Sequence, residues 1–177
     1  MCIRGVGHSA RGVRKMRTAA LQTFHSQNLG PVGYIDPASV RFVAPAKPQQ
    51  HLDLPADHTL PRVQIVYAHA DMDAQQIDDA VKNGARGIVI AGMGDGNVST
   101  DALAGIERAT KSGVIVVRST RVGNGFVNRD VEVDDDHYGL VASMDLNPQK
   151  ARILLQLLLA NKKTLAADIQ KAFSAGF

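Results

Sequence analysis

Beyond residue 62 the apolar positions fall into alternating blocks of strand-like and helix-like spacing. Val63 to Ala68 is a short β-rich run and predicts a strand. Asp73 to Asn83 carries Ile77, Ala80 and Val81 on one helical face, with Asp73 as cap, Gln76 three residues on, and Asn83-Gly84 as its stop. Gly87 to Ala91 is a buried strand running into a glycine-rich turn, Gly92 to Gly96. Thr100 to Ser112, behind Ser99 or Thr100 as cap and closed by Gly113, predicts a second helix. Val114 to Ser119 is a β-branched strand. A long polar loop, Thr120 to Tyr138, separates it from a short apolar piece, Gly139 to Ser143. Asn147 caps the next helix, with Pro148 at the first helical position, where a missing N–H costs nothing. That helix is apolar nearly all round and is expected between layers or at a subunit contact. Thr164 opens a last amphipathic helix that ends near Phe173. The alternation predicts a small three-layer α/β domain with a parallel sheet flanked by helices.

The first sixty residues follow another pattern. Met1 to Arg17 shows neither period and reads as a solvated segment. Asp36-Pro37-Ala38-Ser39, with proline at the second turn position, predicts a type I turn between two short β-rich runs, a hairpin within residues 29–43. The sheet partner of this hairpin is not evident, and two strands alone are marginal in water. Pro45, Pro48, Pro55 and Pro61 among polar residues mark a linker.

Composition narrows the classes. At 177 residues and 45% hydrophobic the chain can build one core, or one core with an appended piece. No apolar run reaches the roughly 18 residues of a membrane span. Cys2 is the single cysteine, which excludes an intrachain disulfide framework and a cysteine-based zinc site. The net charge of +3 is unevenly placed. Arg4, Arg11, Arg14, Lys15 and Arg17 stand in an opening stretch without an acid, and the remainder is slightly acidic. Such a start fits a transit peptide or a nucleic-acid arm, but it has no aromatic residue and no continuous apolar region of a secretory signal.

Two stretches carry candidate chemistry. Gly92-Met93-Gly94-Asp95-Gly96 invites a dinucleotide reading, yet Asn97 stands where the third fingerprint glycine belongs, and no Gly-Lys-Ser/Thr follows. Asp95 and Asn97 lie beyond a strand end, where parallel sheets bind ligands. The loop Arg129 to Gly139 crowds Asp130, Glu132, Asp134, Asp135, Asp136 and His137. It lacks the sixth-position glycine of a calcium loop and an HExxH companion, so the charge run reads as a solvated face rather than a metal site. Strict alternation in Val131-Glu132-Val133 would send the Glu132 carboxylate to the side opposite both valines.

In this order, AGMGDGNV, VVRSTRVGNG, EVDDDHYGLVAS and LNPQKARILLQLLL closely resemble the C-terminal domain of bacterial type II L-asparaginases and glutaminase-asparaginases. The resemblance runs from about Arg62 to Phe173. Upstream, SARGVRK and LQTFHSQNLGPVGYI resemble the end of that family's N-terminal domain. The resemblance implies residues 1–8 as an unmatched basic head and 9–45 as an N-terminal-domain remnant. Residues 46–61 become the linker, and 62–177 the C-terminal domain. It implies hydrolysis of the side-chain amide of asparagine, and often glutamine, to the acid and ammonia, with no metal or cofactor.

Residue roles follow from the same likeness. Lys15 matches the lysine of the family's Val-Thr-Lys motif, a remnant of its catalytic set, although Met16, Arg17, Thr18 and Ala19 depart from the polar residues usual after it. Asn97 and Glu132 match the asparagine and glutamate that serve a neighbouring subunit's site, and Asp95 stands where many relatives have asparagine. No Thr-Gly-Gly-Thr segment occurs, and no Thr-Asp pair precedes Lys15. The expectation is therefore a truncated, asparaginase-like chain without the threonine nucleophile and inactive alone. An assembly module that pairs with full-length asparaginase subunits is the alternative, and a basic-arm nucleic-acid binder is a weaker third. The expected partners are the small-molecule substrate and further copies or full-length relatives, with no nucleic acid and no membrane. Without an export signal the chain reads as cytoplasmic, while the family's members are often periplasmic.

Overall fold

The computed structural model of the chain describes residues 1–44 and 51–175. The chain divides into two compact units, Met1–Gln49 with Gly123–Gly125, and Gln50–Val122 with Phe126–Phe177.

The first unit is built from very short antiparallel strands. The opening residues, expected to be solvated, instead form a hairpin of β1 (Cys2–Ile3) and β2 (Val6–Gly7). Its two-residue turn, Arg4-Gly5, has φ of 52° and 74°, the left-handed geometry that matches the twist of paired strands. β3 (Arg14–Lys15) and β4 (Phe24–His25) make a separate pair. β5 (Gly33–Ile35) and β6 (Val40–Phe42) form the predicted hairpin. Its missing sheet partner is β2, which pairs Val6 with Tyr34 and Gly7 with Gly33. One four-stranded sheet results, ordered β1-β2-β5-β6. The head was unreadable as strand because two-residue strands are too short to show a period of two. Asp36 fixes the β5–β6 turn, its Oδ1 accepting the N–H groups of Ala38 and Ser39 at 2.9 Å each, and its other oxygen pairing with Arg41. These bonds, the Ala38 N–H first, hold the Asp36 carboxyl below the usual carboxylate range. Inside the unit, buried His8 shares a 2.9 Å hydrogen bond between Nδ1 and Ser26 Oγ. Residues 123–125 join this unit through Asn28, which donates to the Gly125 carbonyl at 2.7 Å and accepts its N–H at 3.0 Å.

The second unit has the predicted alternation. Four parallel strands, β7 (Val63–Tyr67), β8 (Gly87–Gly92), β9 (Ile115–Thr120) and β10 (Leu140–Ala142), lie in the order β10-β9-β8-β7. Helices α1 (Gln75–Lys82) and α2 (Thr100–Lys111) cover one face, where Ile88, Ile90 and Val116 meet Ile77, Ala80, Ala102 and Ile106. Past a short helix α3 (Asp135–Tyr138), the helices α4 (Pro148–Ala160) and α5 (Ala166–Ser174) cover the other, where Val89, Ile115 and Val117 meet Leu155, Leu158 and Phe173. Odd and even residues of β8 and β9 thus feed opposite cores, and every residue of both strands is buried.

The caps explain the helix starts. Ser99 Oγ accepts the Ala102 N–H at 3.1 Å, and Asn147 Oδ1 accepts the Lys150 N–H at 2.9 Å. Several local expectations differ from what is found. Asp73 does not cap α1; it accepts the Gln75 N–H, and Ala74 occupies the cap position without a side-chain bond. Thr164 lies before α5, whose cap residue is Leu165. α4 buries Ala151, Leu155 and Leu158 but leaves Ile153 49% exposed, so among the described residues it is covered on one side, not all round. Residues 45–50 of the expected linker lie outside the described residues. From Leu52 onward the chain follows the second unit: Leu52 packs on the α4 core, Asp53 exchanges two bonds with Asn161, and Gln156 donates to the Pro61 carbonyl. On the outer strand β10, the buried side-chain amide of Gln170 accepts the Ala142 N–H at 2.7 Å and donates to its carbonyl at 3.2 Å. It thereby stands in for a neighbouring strand at that sheet edge. No helix among the described residues is long and apolar enough to cross a membrane.

Candidate functional site

β8 ends at Gly92, and the chain folds back on itself at once. Met93 and Asn97 exchange backbone hydrogen bonds of 2.9 and 2.7 Å across the turn. A Cβ at Gly92 would lie 2.4 Å from the carbonyl carbon of Gly96, so the turn closes this tightly only with glycine there. Thr120, at the end of β9, donates from Oγ1 to the Gly94 carbonyl at 2.7 Å. The turn is therefore anchored to the neighbouring strand as well as to its own.

The acidic loop is exposed at Asp130, Glu132, Asp134, Asp136 and His137, as expected of a solvated face, but not at Asp135. It contains α3, capped by Asp134, whose Oδ1 accepts the His137 N–H at 2.8 Å. Asp135 is fully buried and faces Arg118, itself 3% exposed, from the middle of β9. The pair is bidentate: Nε to Oδ1 at 3.0 Å and Nη2 to Oδ2 at 2.7 Å. Asp130 sits at φ 56° and exchanges reciprocal 2.9 Å bonds with Asp135, N–H to carboxylate each way. Asp136 pairs with Arg129. Val131 is 65% exposed while Val133 packs on the α1–α2 core, so the alternation expected around Glu132 is not present. The segment bends to reach α3 instead of running as a strand.

Arg118 also bonds beyond Asp135. Nη1 donates to the Asp95 carbonyl in the glycine turn, and Nη2 donates to the Asn128 carbonyl at 2.7 Å. The Asp95 carboxylate reaches across to the same loop, accepting the Asn128 N–H at 2.7 Å and its Nδ2 at 3.0 Å. Turn and loop are thus cross-linked twice.

The expected site residues have different situations. Asp95 uses both carboxylate oxygens on Asn128. Asn97 is half-buried and Glu132 is exposed, and among the described residues neither side chain has a hydrogen-bond partner, though their neighbours are densely bonded. Their two segments are brought together by Arg118. Lys15 belongs to the first unit, on β3, where its exposed ammonium donates to the Thr18 carbonyl at 3.1 Å and lies 5.7 Å from the Phe24 ring centroid. Among the described residues no group of three or more His, Cys, Asp or Glu could hold a metal ion.

Sequence reasoning missed Arg118 and the burial of Asp135. The signal was an arginine inside Val116-Val117-Arg118-Ser119, a run otherwise suited to a two-sided core. A charge there requires a buried partner, and the acid-rich loop after β9 is the place to look for it.

The family profile described as the glutaminase/asparaginase C-terminal domain matches residues 62–173. L-asparaginase 2 of Escherichia coli is 42% identical over 171 residues, 93% of this chain and 48% of that protein. A Haemophilus influenzae protein named "Probable L-asparaginase periplasmic" is 44% identical over 158 residues, 87% of this chain and 45% of its own length. The glutaminase-asparaginase of Pseudomonas fluorescens is 34% identical over 170 residues, 93% and 46% of the two chains. The chain spans slightly less than half the length of each of these relatives. With the family's C-terminal domain matched from end to end of the parallel sheet and the likeness continuing through the first unit, the chain belongs to the asparaginase–glutaminase family.

Proposed function

We propose that this chain supplies the C-terminal-domain share of an asparaginase-type amide-hydrolysing site, with L-asparagine or L-glutamine as the amino acid handled. One observation carries the reading: among the described residues, the side chains of Asn97 and Glu132 have no hydrogen-bond partner, on two segments that are otherwise tied down. A free carboxylate on a braced loop suits a substrate ammonium, through a charge-assisted hydrogen bond. A free amide at a strand end suits the positioning of neighbouring polar groups. Glu132 therefore takes the α-ammonium, Asn97 orients what lies beside it, and Lys15 is the counterpart of the family's catalytic lysine.

Hydrolysis of an amide by this family's route needs the threonine nucleophile, and these 177 residues contain neither threonine segment. Loss of a nucleophile from a catalytic set costs about 10⁴- to 10⁶-fold in turnover. The 177-residue polypeptide alone is therefore inactive toward both amides. Purified protein incubated with asparagine or glutamine should release ammonia at the buffer rate. Turnover that disappears in Lys15→Ala or Glu132→Ala would sink this statement. The binding role is read separately: titration with L-aspartate should move the NMR signals of residues 93–98 and 130–134, and a flat titration rejects it.

A second reading, pairing with a full-length asparaginase subunit, is favoured by the β5–β6 hairpin, which leaves Ile35, Val40, Phe42 and Val43 exposed. Mixed with a purified full-length relative under mild conditions, the chain should shift to a common elution volume. Separate elution at all protein ratios removes this reading.

A further inference from the structure

We propose that Arg118 is a positioning residue that makes the Asn97 turn and the Glu132 loop a single mechanical element. The inference rests on the reading of Asn97 and Glu132 as the amino-acid contacts and goes one step behind it, to what fixes their relation.

The geometry assigns this role to one side chain. Arg118 comes from β9, the strand next to β8, and its guanidinium lies between the two segments. Nη1 holds the turn by the Asp95 carbonyl, two residues before Asn97. Nη2 holds the loop by the Asn128 carbonyl, and the Nε–Nη2 edge holds it again by the Asp135 carboxylate. Glu132 lies between those two fixed points, so Arg118 closes residues 128–135 into a loop with both ends on one planar group. The Asp95 carboxylate adds a second tie between turn and loop at Asn128. Gly96 completes the arrangement by leaving room, since a Cβ there would lie 2.9 Å from Arg118 Cγ.

Only arginine can do this. The task needs at least four donor directions in one plane, from a charge that stays protonated when buried, and lysine offers a single point charge. Asp135 has the complementary task. Its two oxygens set the plane of the guanidinium, and its bonds with Asp130 pass that orientation to the start of the Glu132 segment. A displacement of either segment must then turn the fork and shift the other.

The test uses the 177-residue protein and two readouts. Amide hydrogen exchange is followed at residues 93–98, at 128–134, and at β8 and α4 as a measure of the fold. In Arg118→Lys, exchange in the first two segments should rise together, by roughly tenfold, with β8 and α4 unchanged. L-aspartate titration should lose its response at both segments in the same variant. A rise in only one segment, or in neither, overturns the proposal. If Arg118→Lys loosens β8 and α4 equally, the double variant Arg118→Met with Asp135→Leu decides, because it removes the fork without stranding a buried charge. Concerted loosening of the two segments on a protected core supports the proposal. Unfolding of both variants makes the pair a requirement of the fold and overturns it. The two readings separate cleanly. A flat wild-type titration with the expected exchange pattern rejects the amino-acid contacts and keeps the positioning role. A wild-type response kept intact in both variants does the reverse.

Discussion

The two units solve the same problem, covering a sheet, to very different depths. In the second, β8 and β9 are buried at every residue because helices lie on both faces, and each strand feeds two cores at once. In the first, strands of two or three residues pair edge to edge, and Phe42 remains 78% exposed on its last strand. Burial of apolar surface is the main favourable term in folding, so stability should concentrate in the parallel unit. The polar contents differ in the same sense. The second unit tolerates a buried arginine because the Asp135 carboxylate and the carbonyls of Asp95 and Asn128 satisfy it. Among the described residues of the first, His8 and Ser26 are the buried polar residues and bond to each other, while the buried Oγ of half-buried Ser39 has no partner.

The largest expected effect attacks the buried charge of the stable unit. Arg118→Met leaves the fully buried Asp135 carboxylate unpaired and should destabilise the second unit by about 3–5 kcal/mol, whereas Arg118→Met with Asp135→Leu should recover most of that loss. Urea unfolding of the three proteins checks it. A double variant no more stable than the single one would mean that the bonds to Asp95 and Asn128, rather than the stranded charge, set the cost.

Next is the core itself. Leu155 is fully buried against the sheet from α4, and a Cβ added at Gly87 would lie 2.7 Å from one of its methyl carbons. Leu155→Ala should cost about 2–5 kcal/mol by lost transfer energy and the cavity left behind. Amide exchange read by segment would show whether the loss stays in the second unit. Equal loss of protection in β1–β6 would break the contrast between the units, since it would make them one cooperative whole.

What the sequence disclosed follows the same divide. Ser99, Asn147 and Pro148 announced their helices because a cap acts on groups two or three residues away, within reach of a local pattern. Gly87–Gly92 announced itself as an unbroken apolar run, and Ile115–Thr120 as a β-branched run interrupted by Arg118 and Ser119. The β1–β2 hairpin could not, because Cys2–Ile3 and Val6–Gly7 are too short to carry alternation. The site was half legible. Asn97 and Glu132 stood out by likeness to a family, and the turn by its glycines. The clasp between them depends on Arg118 and Asp135, 17 residues apart in sequence. Nothing local tells which of Asp134, Asp135 and Asp136 goes inside. Only the fold decides, turning one toward Arg118, one to cap α3, and one outward to Arg129.

A smaller effect sharpens the contrast at the level of helix ends. Asn147→Ala removes the acceptor for the Lys150 N–H at the start of α4 and should cost about 1 kcal/mol. Thr164→Ala, before the uncapped start of α5, should leave stability unchanged within error in the same thermal melts. A loss at Thr164 as large as at Asn147 would mean that the threonine hydroxyl stabilises the start of α5 after all.

The smallest effect on stability is expected at Phe42, where the first unit meets solvent. Its ring lines an apolar hollow of about 350 Å³ shared with Val32, Ile35 and Val40, yet most of its surface is in water, so truncation removes little that folding buried. Phe42→Ser should therefore change the unfolding free energy by no more than about 0.5 kcal/mol, the usual range for exposed positions. Its effect should be on association, because Val40 and Phe42 of the edge strand β6, with Val43 just beyond it, are exposed apolar residues. Sedimentation across a concentration series should show weaker self-association in the variant than in the parent. If association is unchanged while stability falls by more than about 1 kcal/mol, the hairpin is a buried part of a core after all, and the contrast between the units is one of strand length alone.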